Sequence, residues 1–189
     1  MNNLNRITLI NIVISSFCFV SCVSLKTPKR TDLVELNAPM LIGKYPLNTS
    51  QTFRTHTHKD TVVSVPIWYF FKNSEGTDSV ELAQATHIKL EVTDKKHATA
   101  TLYNGNIALK TGINKGWFRK GYFRMKHELS FSGVPPFYWS MNSSKMQFGL
   151  GKQGELFIDE ADETNGSILI IMAGTGSFTT SYTVPKYLK

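Results

Sequence analysis

Alternating apolar and polar positions dominate the chain after residue 40, a pattern typical of strands with one buried face. The clearest runs lie at residues 86–93, 123–131, 146–150 and 178–184. In the second run we expect Phe123, Met125, Leu129 and Phe131 to point into a core, with His127 on the same face. The charged residues between them should then face solvent.

Turn sequences separate the runs at Asn104-Gly105, at residues 151–154 and at Asn165-Gly166. Asn-Gly between two strand-like runs is a strong hairpin signal. We count about nine or ten short strands and no segment with helical periodicity. Hairpins at this spacing indicate a barrel or a sandwich. We predict an all-β, antiparallel fold of about 8–10 strands.

Two apolar stretches do not alternate. They are residues 167–173 and the aromatic run Trp68–Phe71. A strand of this kind is covered on both faces, or one face meets a lipid or a partner. We interpret both stretches as core strands in preference to ligand sites.

The N-terminus resembles a secretory signal, because an apolar run at residues 7–20 follows the polar start that contains Arg6. Cys22 follows the small residue Ser21, as in a bacterial lipoprotein signal. We therefore predict a signal peptide at residues 1–21 and a diacylglycerol-modified, palmitate-bearing Cys22. Cys18 is a poorer site, since Phe17 before it is too large. An ordinary cleaved signal and an uncleaved anchor are the alternatives, although a spanning helix needs about 20 residues.

Residues 22–39 are polar, which predicts a tether that leads to a single domain at residues 40–189. Loss of the signal removes Arg6 and changes the net charge from +7 to +6. A basic chain is attracted to anionic lipid or to polyanions, but the same charge also serves solubility. With Cys18 removed, the mature chain has a single cysteine, so its core alone must hold the fold.

Candidate chemistry is sparse. His56 and His58 would share one strand face and are weak candidates for metal ligands, since a zinc site needs a third or fourth ligand. His87, His97 and His127 could supply one only in principle. The four carboxylates of residues 159–163 predict a solvated hairpin turn rather than a calcium loop. The basic stretch at residues 115–126 carries interleaved aromatics and suits either a charged strand face or an anionic surface.

Four segments are similar to the lipocalin-like lipoproteins of Bacteroides and flavobacteria. They are residues 41–45, 120–126, 133–136 and 146–159. The opening Gly43-Lys44-Tyr45 resembles the Gly-x-Trp start of lipocalins, with tyrosine in place of tryptophan. The resemblance implies an up-and-down barrel with an internal cavity and no catalytic residue.

Two features gain meaning from that resemblance. The triplets at residues 60–62 and 78–80 resemble O-glycan acceptors of this lineage, which makes Thr61 and Ser79 glycosylation candidates. Surface-bound lipoproteins of the lineage carry acidic residues soon after the cysteine. Residues 23–26 contain none, so we expect an outer-membrane lipoprotein that faces the periplasm.

These features predict a non-enzymatic envelope lipoprotein that binds an apolar or amphiphilic small ligand inside the barrel. The candidate ligand-contact residues of the barrel interior are Phe123, Met125, His127 and Leu129. The alternative is an interaction protein with a filled barrel that docks a protein or an envelope glycan. An enzyme acting on envelope glycan or lipid is a third possibility. We expect no cofactor, and the membrane as a partner through the N-terminal lipid. The export signal argues against nucleic acid as a partner.

Overall fold

A computed structural model describes residues 25, 28–36, 38–54, 60–71, 79–126, 128–134, 137–168 and 172–187. The strands are β1 (Leu33–Val34), β2 (Met40–Tyr45), β3 (Asn48–Arg54), β4 (Asp60–Pro66), β5 (His87–Val92), β6 (His97–Asn104), β7 (Ile107–Arg119), β8 (Tyr122–Met125), β9 (Glu128–Val134), β10 (Tyr138–Gly151), β11 (Leu156–Ile168) and β12 (Met172–Val184). A 3₁₀ helix spans Ile67–Phe70, and a short helix, α1, spans Ser79–Gln84.

The strands confirm an all-β, antiparallel fold. Eight of them follow one another in a single sheet in the order β12-β11-β10-β8-β7-β6-β5-β2, and β1 and β9 also pair with β10. β3 and β4 form a separate hairpin. The turns at Asn104-Gly105 and at residues 151–154 join strands as predicted. The third predicted turn was wrong, because Asn165-Gly166 lies inside β11.

The predicted closed barrel is not formed by the described strands, whose sheet is open between β2 and β12. One backbone hydrogen bond connects the segment after β12 with β2. In it the Tyr187 amide donates to the Lys44 carbonyl at 2.8 Å. Pro185 ends β12 two residues earlier. A proline has no amide hydrogen to donate, so Pro185 supplies no backbone donor at the end of β12.

The 3₁₀ helix supplies the centre of the core. Ile67, Trp68 and Phe70 are buried, and so is Phe71 just after the helix. The side-chain amide of Asn114 in β7 donates to the Phe71 carbonyl at 3.0 Å and holds this turn against the sheet. The prediction that this run belongs to the core was right, and the prediction of a strand was wrong. A strand would have sent alternate side chains outward.

The predicted strand at residues 123–131 is two strands. Phe123 of β8 is fully buried and Met125 packs partly against the core. Leu129 and Phe131 of β9 were predicted to face the same core but are about 60% exposed. The reason is that β8 pairs with Gln147–Gly149 of β10, whereas β9 pairs with Tyr138–Ser144, beyond the end of the core.

The predicted tether is partly folded onto the sheet. β1 pairs with the end of β10 through Leu33 and Gly151, and Leu36 is buried in the core. Arg30 also contacts the sheet. The folded domain therefore begins by residue 30 rather than at residue 40.

Candidate functional site

Four strands extend beyond the core and form what we call the arm. The arm consists of β9 and of residues 138–144, 160–168 and 172–180 of β10, β11 and β12. No residue of the arm belongs to the hydrophobic core cluster. The sequence has no charged residue from 129 to 144 or from 164 to 185, although a fifth of the chain is charged. The charged residues of the arm, Glu128, Glu160, Asp162 and Glu163, are all acidic and lie toward its base, so the outer part of the arm is an uncharged sheet.

Three zones follow one another along the face of the sheet that continues the core. At the base this face carries large apolar side chains, such as Phe148, Ile158 and Tyr182, which are direct cross-strand partners. In the middle it carries the exposed Phe178, opposite Asp162, and otherwise small or polar residues: Ser140, Asn142, Ser144, Asp162, Thr164, Gly166, Gly174 and Gly176. At the tip it becomes apolar again at Tyr138 and Ile168, which also lie opposite one another. The change of side-chain size leaves a depression in the middle zone.

That depression is a groove of about 400 Å³, partly open to solvent. Its lining consists of Leu129, Ser130, Asn142, Ser143, Ser144, Asp162, Glu163 and Thr164. Asn142 lies directly opposite both Ser130 and Thr164, which share its face. The groove thus gathers hydroxyl, amide and carboxylate groups from three adjacent strands. Leu129, one of the predicted ligand-contact residues, lies at this groove and not in a barrel interior.

The opposite face of the sheet carries a buried ion pair. Asp159 is fully buried and accepts two hydrogen bonds from the Arg30 guanidinium, at 2.8 and 2.9 Å. Ser181 Oγ and Gln147 Nε2 also donate to this carboxylate, at 2.7 and 3.1 Å. Gln147, Asp159 and Ser181 are cross-strand neighbours on β10, β11 and β12. One carboxylate therefore ties the N-terminal segment to three strands at the base of the arm.

Aromatic rings enclose the Arg30 guanidinium. Its central carbon lies 4.3 Å from the ring centroid of Phe157, within the range of a cation–π contact. One of its nitrogens also donates to the Tyr122 hydroxyl at 2.9 Å. Burial lowers the pKa of Arg30, but the hydrogen bonds to Asp159 and Tyr122 outweigh it, and the net pKa is raised. The guanidinium is therefore held in its charged form against the sheet.

Two neighbouring carboxylates lie beside the groove. Glu160 and Asp162 are two residues apart on β11 and share one face of the strand. Burial raises the pKa of Glu160 to about 7, and the charge of Asp162 and a hydrogen bond to it contribute. The predicted acidic turn at 159–163 was wrong, since these residues lie within β11.

The raised pKa of Glu160 predicts a loss of stability with rising pH. The folded protein keeps this proton longer than the unfolded chain does, so the loss begins near the ordinary glutamate pKa of 4.5 and is complete just above the folded pKa of about 7. Because Glu160 is partly exposed, we expect a loss of about 1–2 kcal/mol rather than the full electrostatic value. Urea denaturation at pH 5 and pH 8 should show this difference for the native protein.

Glu160→Gln should remove most of that difference and raise stability at pH 8. The matched control is Glu81→Gln in α1, which should leave the pH dependence unchanged. An identical pH dependence for Glu160→Gln and the native protein would show that Glu160 is ionised in the fold at neutral pH.

The remaining predicted sites divide into described and undescribed residues. Cys22, His56, His58 and His127 lie outside the described residues, as does the side chain of Thr61. Ser79 is exposed at the start of α1, so a modifying enzyme would have access to its hydroxyl. Within the described ranges, no group of three or more histidine, cysteine, aspartate or glutamate residues is placed to hold a metal ion.

The other histidines have structural contacts. His87 is buried, and its ring stacks on those of Tyr103 and Tyr187 with centroids 5.4 and 5.2 Å away. His97 contacts the Asp94 carboxylate at 2.7 Å at the surface. These contacts are sufficient to explain the two residues without a ligand.

The basic stretch spans the end of β7, the following turn and β8. Lys115, Arg119, Lys120 and Lys126 are exposed. Between them, Phe123 is buried, and its ring contacts that of Phe118 at 5.4 Å. The arrangement is that of a strand pair with a charged outer face and an aromatic inner face, although Trp117 is 45% exposed.

Comparisons with family models, with curated proteins and with solved structures found no match for the chain. Among the described residues, no helix has the length and apolar character needed to cross a bilayer. The arm and its groove are therefore the features of the molecule that bear on its function.

Proposed function

We propose that this chain is a non-enzymatic lipoprotein of the bacterial outer membrane, anchored through Cys22 and facing the periplasm, that docks a neutral glycan in the groove of the arm. This is the filled-barrel alternative raised by the sequence. We further propose that the fold is an opened form of the lipocalin-like barrel, because the contact between Tyr187 and Lys44 lies where such a barrel would close.

The packing of the core favours a ligand bound at the surface over one bound inside the fold. Trp68, Phe71, Phe123 and Phe148 are at most 1% exposed, on the side of the sheet where a lipocalin-like ligand would bind. The rings of Phe71 and Phe123 contact the Phe148 ring, with centroids 5.4 and 5.3 Å apart. An amphiphile would have to displace these close-packed contacts. The groove lies outside them and is accessible.

The lining of the groove suits a polyhydroxylated ligand. Sugar hydroxyls donate to carboxylates and both donate to and accept from an amide, and the groove offers Asp162 and Asn142 on one face of the sheet. An apolar ligand would instead leave these groups desolvated and unpaired, which costs about 1–3 kcal/mol for each group. The volume of the groove, about 400 Å³, lies within the usual range for ligand pockets.

The carboxylates next to the groove support binding more than hydrolysis. Glu160 and Asp162 share a hydrogen bond. Carboxylates that cleave glycosides are about 5 Å apart or more, so that the sugar and the nucleophile fit between them. A hydrogen-bonded pair leaves no such space and is suited to holding a proton.

The proposal is tested by titrating the mature protein with neutral oligosaccharides released from the envelope of its own host, monitored by calorimetry. We expect saturable binding, and Asn142→Ala should weaken it about tenfold, because the sugar hydroxyls would lose a partner on the central strand. Asn106→Ala, in the exposed turn after β6, is the matched control and should bind like the native protein. Equal affinity of both variants would rule out the groove.

A further inference from the structure

The tip of the arm exposes a cluster of large apolar side chains. Val134, Tyr138 and Ile168 lie in one cross-strand row, and Phe137 precedes Tyr138 in the turn between β9 and β10. Each of these four residues is more than half exposed. In the sequence, residues 169–171 between β11 and β12 are also apolar. A folded protein that exposes apolar side chains together at the end of a projection has an interaction site there.

Charge distribution favours a lipid bilayer as the occupant. Along β11 the nearest charged residue to Ile168 is Glu163, five residues away, a distance of about 16 Å along a strand. That is close to half of the roughly 30 Å hydrocarbon core of a bilayer. Tyr138 and Trp139 stand at the margin of the tip, and these two residue types are enriched at the membrane interface.

The reach of the N-terminal segment favours the same occupant. Arg30 is fixed to Asp159 at the base of the arm, and Cys22 lies eight residues before it. Eight extended residues span at most about 28 Å. Ile168 lies nine residues beyond Asp159 along β11, which is about 30 Å. A fully extended segment directed along the arm would therefore bring Cys22 close to the level of the arm tip, within reach of the same bilayer leaflet through its acyl chains.

We propose that the tip of the arm inserts into the bilayer leaflet that holds the acyl chains of Cys22, so that the domain is attached at two points and stands upright on the membrane. The inference rests on the proposed lipid anchor. Stable membrane attachment generally uses two such signals. Insertion through Phe137, Tyr138 and Ile168 would place the polar groove just above the lipid headgroups.

The test places a fluorescent label at each end of the β10–β11 hairpin. Phe137→Cys at the tip and Gln153→Cys in the opposite turn are both exposed positions, so neither change should disturb folding. Each acylated protein is labelled with an environment-sensitive fluorophore and reconstituted into phosphatidylethanolamine–phosphatidylglycerol vesicles with spin-labelled acyl chains. Acylated Cys22 cannot react, so only the introduced thiol carries the label.

We expect the label at residue 137 to lose about half of its emission to the spin labels, since interfacial elements bury apolar groups about 5–10 Å deep. The label at residue 153 should be unaffected. Equal emission at both positions would overturn insertion while leaving the anchor intact. Blue-shifted emission at residue 137 that spin labels do not quench would place the tip against a protein and also overturn it. A mass without acyl chains on Cys22 would refute the anchor itself, and the inference with it.

Discussion

Replacing Arg30 by methionine should lower the free energy of unfolding by about 3–5 kcal/mol. Asp159 is fully buried and would lose the bidentate partner that offsets the cost of its desolvation. The remaining donors, Ser181 and Gln147, are neutral and supply only two of its four hydrogen bonds. Urea denaturation at pH 7 measures the change.

The neighbouring Lys29 offers a matched control, because its side chain is exposed. Lys29→Met removes the same charge one residue away and should change stability by less than about 0.5 kcal/mol. If both variants were equally stable, the segment before β1 would not be docked on the sheet. Arg30 would then not be held at the base of the arm, and the distance from Cys22 to the arm tip would no longer be limited by that contact.

Phe123→Ala should cost about 3–5 kcal/mol of stability, as expected for a phenylalanine in a close-packed core. Its ring contacts those of Phe118 and Phe148, and a Cβ added at Gly116 would lie only 2.6 Å from it. This side chain therefore has neighbours on several sides and does not border an open cavity. Chemical denaturation of the variant measures the packing of the core directly.

Phe131→Ala is the control, since Phe131 lies on the same alternating sequence run but is 59% exposed in β9. It should cost less than about 1 kcal/mol. A small loss for Phe123→Ala would mean that its ring lines a cavity, which would favour the internal-ligand alternative. A large loss for Phe131→Ala would mean that the arm packs against another part of the molecule.

Local pattern was enough to predict an all-β, antiparallel chain, although the described residues form twelve strands where about 8–10 were expected. Ile88, Leu90 and Val92 are buried as their alternation indicated, and Asn104-Gly105 joins two strands. Alternation reports which face of a strand is buried but not where the core ends along it. This explains why Leu129 and Phe131 were assigned to the interior. The prediction of a closed barrel was wrong for a related reason, since closure depends on pairing between β2 and β12, which are far apart in sequence.

The candidate site was harder to predict because it is made by the register of strands far apart in sequence. Asn142, Ser130 and Thr164 meet only through the pairing of β9, β10 and β11. The ion pair of Arg30 and Asp159 joins residues 129 positions apart. One local signal was available, because no glycine, proline or asparagine separates the apolar residues Leu156–Ile158 from the acidic residues that follow them. The absence of charge from residues 129–144 and 164–185 was a second signal that was visible in the sequence.

The central claim is that this protein binds its ligand on the arm and not inside the sheet. A side-by-side titration of one preparation with a fluorescent fatty acid and with the neutral envelope oligosaccharides tests it most directly. Our account predicts saturable binding of the oligosaccharides, weakened about tenfold in Asn142→Ala, and no saturable binding of the fatty acid. Saturable fatty-acid binding that survives Asn142→Ala, together with no response to the oligosaccharides, would contradict the account.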